Sequence, residues 1–223
     1  MRNSMISASM MCTDLFDLKD TLRLFEQEGV EYLHIDMMDG TFVPNFGLGV
    51  DYIRGLREIT SIPLDLHLMI KEPENKFQWI GICPTDIVSI HYESTFQVQR
   101  ALDYLEPYGC KRFLAINPAT SVYAIEEVLD YIDGINLLMV NPGFAGQKMV
   151  PSTIKKAVKL MNMLKREGRE DITVEVDGNI TPDNGELLRS IGASMFVAGT
   201  SAIFKGNPKE YKQNLETFRN KIK

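Results

Sequence analysis

His34 and Asp36 stand two residues apart in the run Glu31-Tyr32-Leu33-His34-Ile35-Asp36-Met37-Met38, which reads as a strand. Asp39-Gly40 then supplies a turn. Strand side chains alternate, so His34, Asp36 and Met38 share one face while Ile35 and Met37 take the other. A histidine and an acid on the buried face of an apolar strand are costly unless paired or metal-bound. One reading is therefore a shared metal ion, and the other a buried His–Asp hydrogen bond. His67 lies in a second apolar run, Leu64–Ile70, on the face of Asp65 and Met69. Asp177 ends a third, Ile172–Asp177, and Ser9 ends Met5–Ser9. His34, Asp36, His67 and Asp177 make a complete donor set for one divalent metal ion, Zn²⁺, Fe²⁺, Mn²⁺ or Co²⁺. His91, closing Asp86–His91, is expected behind that set or in the core.

A glycine-rich constellation accompanies these residues. Pro142-Gly143-Phe144-Ala145-Gly146-Gln147, Asp177-Gly178-Asn179 and Gly199-Thr200-Ser201 each follow an apolar run. Glycines at neighbouring strand ends let backbone N–H groups converge on an anion such as phosphate. A short helix N-terminus is expected near residues 200–203, completing a phosphate site.

Metal, phosphate cradle and two acids together point to proton transfer next to a carbonyl. The enediolate left by deprotonation needs electrostatic stabilisation, which a Lewis acid supplies. Of Asp36 and Asp177, one carboxylate takes the proton and the other, protonated, returns one to the opposite face, inverting one carbon. Met38 and Met69 are expected near the site, as barrel filler or as a cover that excludes water.

Eight strand patterns alternate with helical patterns along the chain. The strands are expected at Met5–Ser9, the run through His34–Met38, Leu64–Ile70, Asp86–His91, Arg112–Ile116, Ile135–Val140, Ile172–Asp177 and Met195–Gly199. Helices are expected over 17–28, 51–58, 74–81, from a Ser94 cap to about Leu105, from a Ser121 cap to about Tyr131, 153–166, 182–190 behind a Thr181 cap, and from Asn207-Pro208 onward. In the helix over 153–166, Ile154, Ala157, Met161 and Leu164 form an apolar stripe, and Lys155, Lys156, Lys159 and Lys165 form a solvated face. Strict alternation demands parallel βα units. The predicted fold is α/β, a (β/α)₈ TIM barrel spanning 1–223 as a single domain, with its chemistry at the C-terminal strand ends. The rival, an open doubly wound sheet, calls for a G-x-G-x-x-G after strand one, which is missing.

A net charge of −6 argues against nucleic acid or anionic membrane as the partner. No apolar stretch approaches membrane-spanning length, and Arg2 is followed by too short an apolar run for a signal peptide. Three unpaired-looking cysteines, Cys12, Cys83 and Cys110, suit free thiols in a reducing compartment.

The chain resembles the ribulose-phosphate 3-epimerase family over nearly its full length. The resemblance is carried by Ile6–Ser9, His34–Gly40, Leu64–Met69, His91-Tyr-Glu93, Asn117-Pro-Ala-Thr120, Asn141–Lys148, Val176–Gly178 and Val197–Gly199 in this order. It implies a divalent metal on His34, Asp36, His67 and Asp177, with Asp36 as proton acceptor and Asp177 as donor. It implies ketose phosphate contacts from Ser9, His67, Gly143, Phe144, Ala145, Gly146, Asp177, Gly178, Asn179, Gly199 and Thr200. A cytoplasmic homo-oligomer of pentose phosphate metabolism is implied as well. Ala8 replaces a usual proline, while Gly143-Phe-Ala-Gly146 and Gly199-Thr-Ser201 are similar to sister allulose-6-phosphate 3-epimerases. The sugar is thus expected to be D-ribulose 5-phosphate or D-allulose 6-phosphate. Two other readings fit the residues less well. A metal-free decarboxylase of the orotidine-phosphate type needs an Asp-x-Lys-x-x-Asp, but this run has no lysine. A non-catalytic phosphosugar-binding barrel would not need both acids and both histidines.

Overall fold

The computed structural model describes residues 3–223; Arg2, on which the reading of the chain's start rests, lies outside them. Eight strands form a closed parallel barrel in sequence order: β1 (Met5–Ser9), β2 (Tyr32–Met38), β3 (Leu64–Met69), β4 (Ile87–His91), β5 (Lys111–Ile116), β6 (Gly134–Leu138), β7 (Thr173–Asp177) and β8 (Met195–Ala198). Closure comes from β1 pairing with β8, Met5 opposite Met195 through Ala8 opposite Ala198. The connections carry α1 (Leu18–Gln27), α2 (Val50–Ile59), α3 (Phe77–Ile80), α4 (Val98–Asp103), α5 (Ser152–Arg166) and α6 (Pro182–Ile191); α7 (Tyr211–Lys221) follows β8. This is the (β/α)₈ barrel that the alternation predicts.

Outward strand residues such as Ile6, Leu33, Ile35 and Leu66 are buried with Leu22, Phe25, Ile53 and Leu160 of the helices in one apolar shell. That burial drives the architecture, since each helix has one apolar stripe and no other surface to cover it. The barrel interior is different. Its floor is apolar: Tyr32, Ile87, Phe113 and Met195, with Met5 against them. Gly134 of β6 leaves room for the Phe113 ring, which a Cβ there would strike. Higher up, Ser7, Asp65, Ser89, Asn136 and Glu175 are polar and fully buried. Register then places His34 opposite Asp65 and Asp36 opposite His67.

Several local expectations change. Ser94 does not cap a helix; its hydroxyl donates to the His91 carbonyl at 2.8 Å, and α4 starts only at Val98. Ser121 does cap, accepting from the Tyr123 N–H, but residues Val122–Tyr131 form a 3-10 helix. No helix forms at 200–203. Instead the N–H groups of Ala202, Ile203 and Phe204 all turn onto the Gly199 carbonyl, at 3.0–3.2 Å. On α5 the buried face is Thr153, Lys156, Ala157, Leu160, Met163 and Leu164. Lys156 is therefore not solvated: its ammonium donates to the Asn117 carbonyl, and burial lowers its pKa to about 8. No helix among the described residues is long and apolar enough to cross a membrane.

Candidate active site

Four side chains from three strands meet at the mouth of the barrel. His34, Asp36, His67 and Asp177 each offer one donor atom, and these atoms lie within 4.8 Å of one another. His34 Nε2 stands 3.3 Å from Asp36 Oδ1 and 3.6 Å from Asp177 Oδ2. His67 Nδ1 stands 3.1 Å from Asp36 Oδ1 and 3.4 Å from Asp177 Oδ2. The alternation of β2 and β3 does this, with the histidines fully buried and Asp177 the most accessible of the four.

Each histidine has its outer nitrogen committed elsewhere. His34 Nδ1 donates to Asp65 Oδ2 at 2.5 Å, and Asp65 also accepts from the Ser7 hydroxyl at 2.8 Å. His34 Nε2 is buried with no hydrogen-bond partner and aims at the two acids. His67 Nε2 faces His91 Nε2 at 2.8 Å, and His91 Nδ1 faces Glu93 Oε2 at 3.4 Å. A buried imidazole with its Nε2 unpartnered, two acids beside it and a carboxylate behind it is the donor arrangement of a divalent metal site. The residues present therefore fit such an ion.

Charge follows the same geometry. Burial resists ionisation of Asp36, yet His34 and His67 overcome it and hold the carboxyl well below the usual carboxylate range. Burial also resists charging His34, but Asp65 and then Asp36 push its pKa well above the usual histidine value. Burial raises Glu175 well above the ordinary range, reinforced by the Asp65 charge. His91 is pushed down to about 4, mainly by burial, and so stays neutral. Burial works against the charge on Glu93, but hydrogen bonds from His91, Thr120 and Asn117 keep it anionic.

The pocket above the cluster brings together nearly all the residues expected from sequence. Ser9, Asp36, His67, Gly143, Phe144, Ala145, Gly146, Asp177, Gly178, Asn179, Gly199 and Thr200 line it, and His34 lies beneath, fully buried. Ser9 Oγ reaches Asp36 Oδ2 at 3.5 Å. Gly143, Gly146 and Gly178 take positive φ of 116°, 76° and 109°, the conformations for which glycine was read in these loops. Asn179 bridges loops: its amide donates to Ser201 Oγ at 3.0 Å and its oxygen accepts from the Met149 N–H at 3.4 Å. Met38 and Met69 do reach the pocket, packed with Val43, Met11 and Phe42. Sequence reasoning missed Met11, Cys12 and Val140 in the lining, while Asn141, Gln147 and Ser201 belong to runs singled out in the sequence. Met11 and Cys12 lie two and three residues after Ser9, so proximity along the chain was the available signal.

A parallel barrel with acids, imidazoles and glycine loops at its mouth defines a class of barrel enzyme built to act on a small anionic substrate. The profile described as the Ribulose-phosphate 3 epimerase family matches residues 5–204. The chain belongs to the ribulose-phosphate 3-epimerase family, and it is an epimerase. It is 34% identical over 205 residues to the ribulose-phosphate 3-epimerase of Bacillus subtilis (strain 168), covering 92% of this chain and 94% of that one. Against the Escherichia coli (strain K12) ribulose-phosphate 3-epimerase it is 33% identical over 223 residues, covering 100% and 97%. The chloroplastic ribulose-5-phosphate-3-epimerase of Arabidopsis thaliana is 38% identical over 201 residues, covering 89% and 71%. Among solved structures, KGPDC from Streptococcus mutans superposes with a TM-score of 0.69 at 13% identity, covering 99% and 98%, a likeness of fold alone.

Proposed function

We propose that this chain is a divalent-metal-dependent 3-epimerase of a ketose phosphate, interconverting D-ribulose 5-phosphate and D-xylulose 5-phosphate. The observation that carries it is the convergence of His34, Asp36, His67 and Asp177 beneath a glycine-lined pocket. A divalent cation held by those four residues would supply Lewis-acid polarisation of the carbonyl and neighbouring hydroxyl oxygens. Asp36, held as a carboxylate, is the acceptor for the C3 proton in one direction. Asp177, at the accessible side of the cluster, donates to the opposite face, and the roles exchange in reverse. Met38, Met69 and Met11 keep water from the enediolate. The loops of Gly143–Gly146, Gly178–Asn179 and Gly199–Thr200 hold the phosphate. Ala145 and Thr200 stand in that lining and favour the second reading, D-allulose 6-phosphate. The proposed enzyme is a cytoplasmic homo-oligomer, as the resemblance read in the sequence implies.

Deuterium wash-in at C3 tests the assignment. Asp36→Asn and Asp177→Asn are each expected to lower exchange by about 10²- to 10⁴-fold while phosphosugar binding persists. Exchange at the wild-type rate in either variant removes that residue from its role. The ratio of kcat/KM on ribulose 5-phosphate and allulose 6-phosphate decides the sugar.

A further inference from the structure

Two of the family-like runs, His91-Tyr-Glu93 and Asn117-Pro-Ala-Thr120, find no use in the site as described. The structure joins them. Glu93 Oε1 accepts from the Asn117 backbone N–H at 2.9 Å and from the Thr120 hydroxyl, while its other oxygen faces His91 Nδ1 at 3.4 Å. His91 Nε2 in turn meets His67 Nε2 at 2.8 Å, the two ring planes within 24° of each other. The line from loop backbone to barrel mouth is continuous: Asn117, Glu93, His91, His67.

Protons can be arranged along this line in two ways with neutral rings. In one, His67 Nε2–H donates to His91 Nε2, and His91 Nδ1–H donates to Glu93. His67 Nδ1 then keeps a free lone pair facing Asp36 and Asp177. In the other, His91 Nε2–H donates to His67, whose proton moves to Nδ1. That arrangement turns two lone pairs together at His91 Nδ1 and Glu93, and it leaves His67 nothing to bind a cation with. A carboxylate only accepts, so Glu93 favours the first; Asp36 Oδ1, 3.1 Å from His67 Nδ1, draws the proton the other way until a cation takes that lone pair, and Glu93 offsets this pull.

We infer that Glu93, steadied by Asn117 and Thr120, and His91 are positioning residues that set the tautomer in which His67 can bind a cation. This rests on the metal-binding reading above.

Glu93→Gln tests it with little change of shape. The Asn117 N–H needs an acceptor, so the glutamine oxygen stays there and its NH₂ turns to His91 Nδ1. Donor then faces donor unless His91 changes tautomer. The experiment measures the Zn²⁺ dissociation constant of the full chain against a competing chelator. It also records imidazole ¹⁵N spectra of the Zn²⁺-loaded wild type. The expected result is His91 protonated at Nδ1 in the Zn²⁺-loaded wild type. The Zn²⁺ dissociation constant should rise about 10- to 100-fold, with the melting temperature of the metal-free chain unmoved. His91 protonated at Nε2 in the Zn²⁺-loaded wild type, or unchanged Zn²⁺ affinity in Glu93→Gln, overturns the inference. A wild-type chain that binds no stoichiometric Zn²⁺ overturns the metal reading instead, and the inference falls with it. Should Glu93→Gln not fold, Thr120→Val removes only the steadying hydroxyl and is expected to weaken Zn²⁺ by about 2- to 10-fold; wild-type affinity in Thr120→Val would then overturn the inference.

Discussion

Asp65 decides what His34 can do. Its carboxylate takes the Nδ1 proton and leaves Nε2 directed at Asp36 and Asp177. The same charge, once burial is overcome, raises the His34 pKa well above its ordinary value when no cation is bound. Below that raised pKa a cation must displace a proton from Nε2; above it the ring is already free to bind. Apparent affinity for divalent metal should therefore climb with pH beyond 6.5, the usual histidine value, and then level off. Calorimetry in buffers of different ionisation enthalpy counts the protons released. Asp65→Asn should shift the climb toward lower pH and weaken binding by about 10- to 100-fold. A pH-independent affinity in the wild type would count against His34 as a ligand. The four donors themselves were legible in sequence, because alternation within one strand is enough to put His34 with Asp36. Asp65 and Glu175 were not read as part of the site. Their proximity to His34 depends on register between strands, which no single strand's pattern carries.

The connection between β2 and α2 works as a brace for Asp36. Its N–H groups at Gly40, Gly47 and Leu48 return to the carbonyls of Asn45, Met38 and Asp36, at 3.0, 3.4 and 2.9 Å. Asn45 ties the same loop to the Gly143 carbonyl at 2.7 Å. A Cβ at Gly47 would run into the Asp36 carbonyl, which is backbone and cannot swing away. Gly47→Ala should therefore cost about 1–3 kcal/mol and lower kcat more than it raises KM, as read by urea unfolding and steady-state kinetics. Unaltered kcat would show that the brace does not position Asp36. Strands were read to within a residue or two, since their apolar runs are bounded by turn residues. Connections were harder. Ser94 looks like a helix cap in isolation, but it is buried and its hydroxyl turns onto the His91 carbonyl. The turn after β8 shows the same limit: one carbonyl, that of Gly199, satisfies three N–H groups without forming a helix.

Across the whole molecule the interior changes character with depth. The His–Asp cluster sits over buried polar side chains, and these over the floor of Tyr32, Ile87, Phe113 and Met195. Phe113 fills the notch at Gly134, and Lys111 reaches the Tyr32 hydroxyl at 3.1 Å from the end of β5. Phe113→Ala should cost about 3–5 kcal/mol in unfolding free energy while leaving Zn²⁺ affinity near wild type. Loss of both together would mean that floor and mouth are coupled. Eight βα units were legible from alternation, whereas closure rests on β1 meeting β8 across nearly the full chain, a contact no local pattern records. A stoppered base has a kinetic corollary. Reactant and product must use a single doorway, so one sugar has to depart before the next arrives, and each should act as a purely competitive inhibitor of turnover of the other.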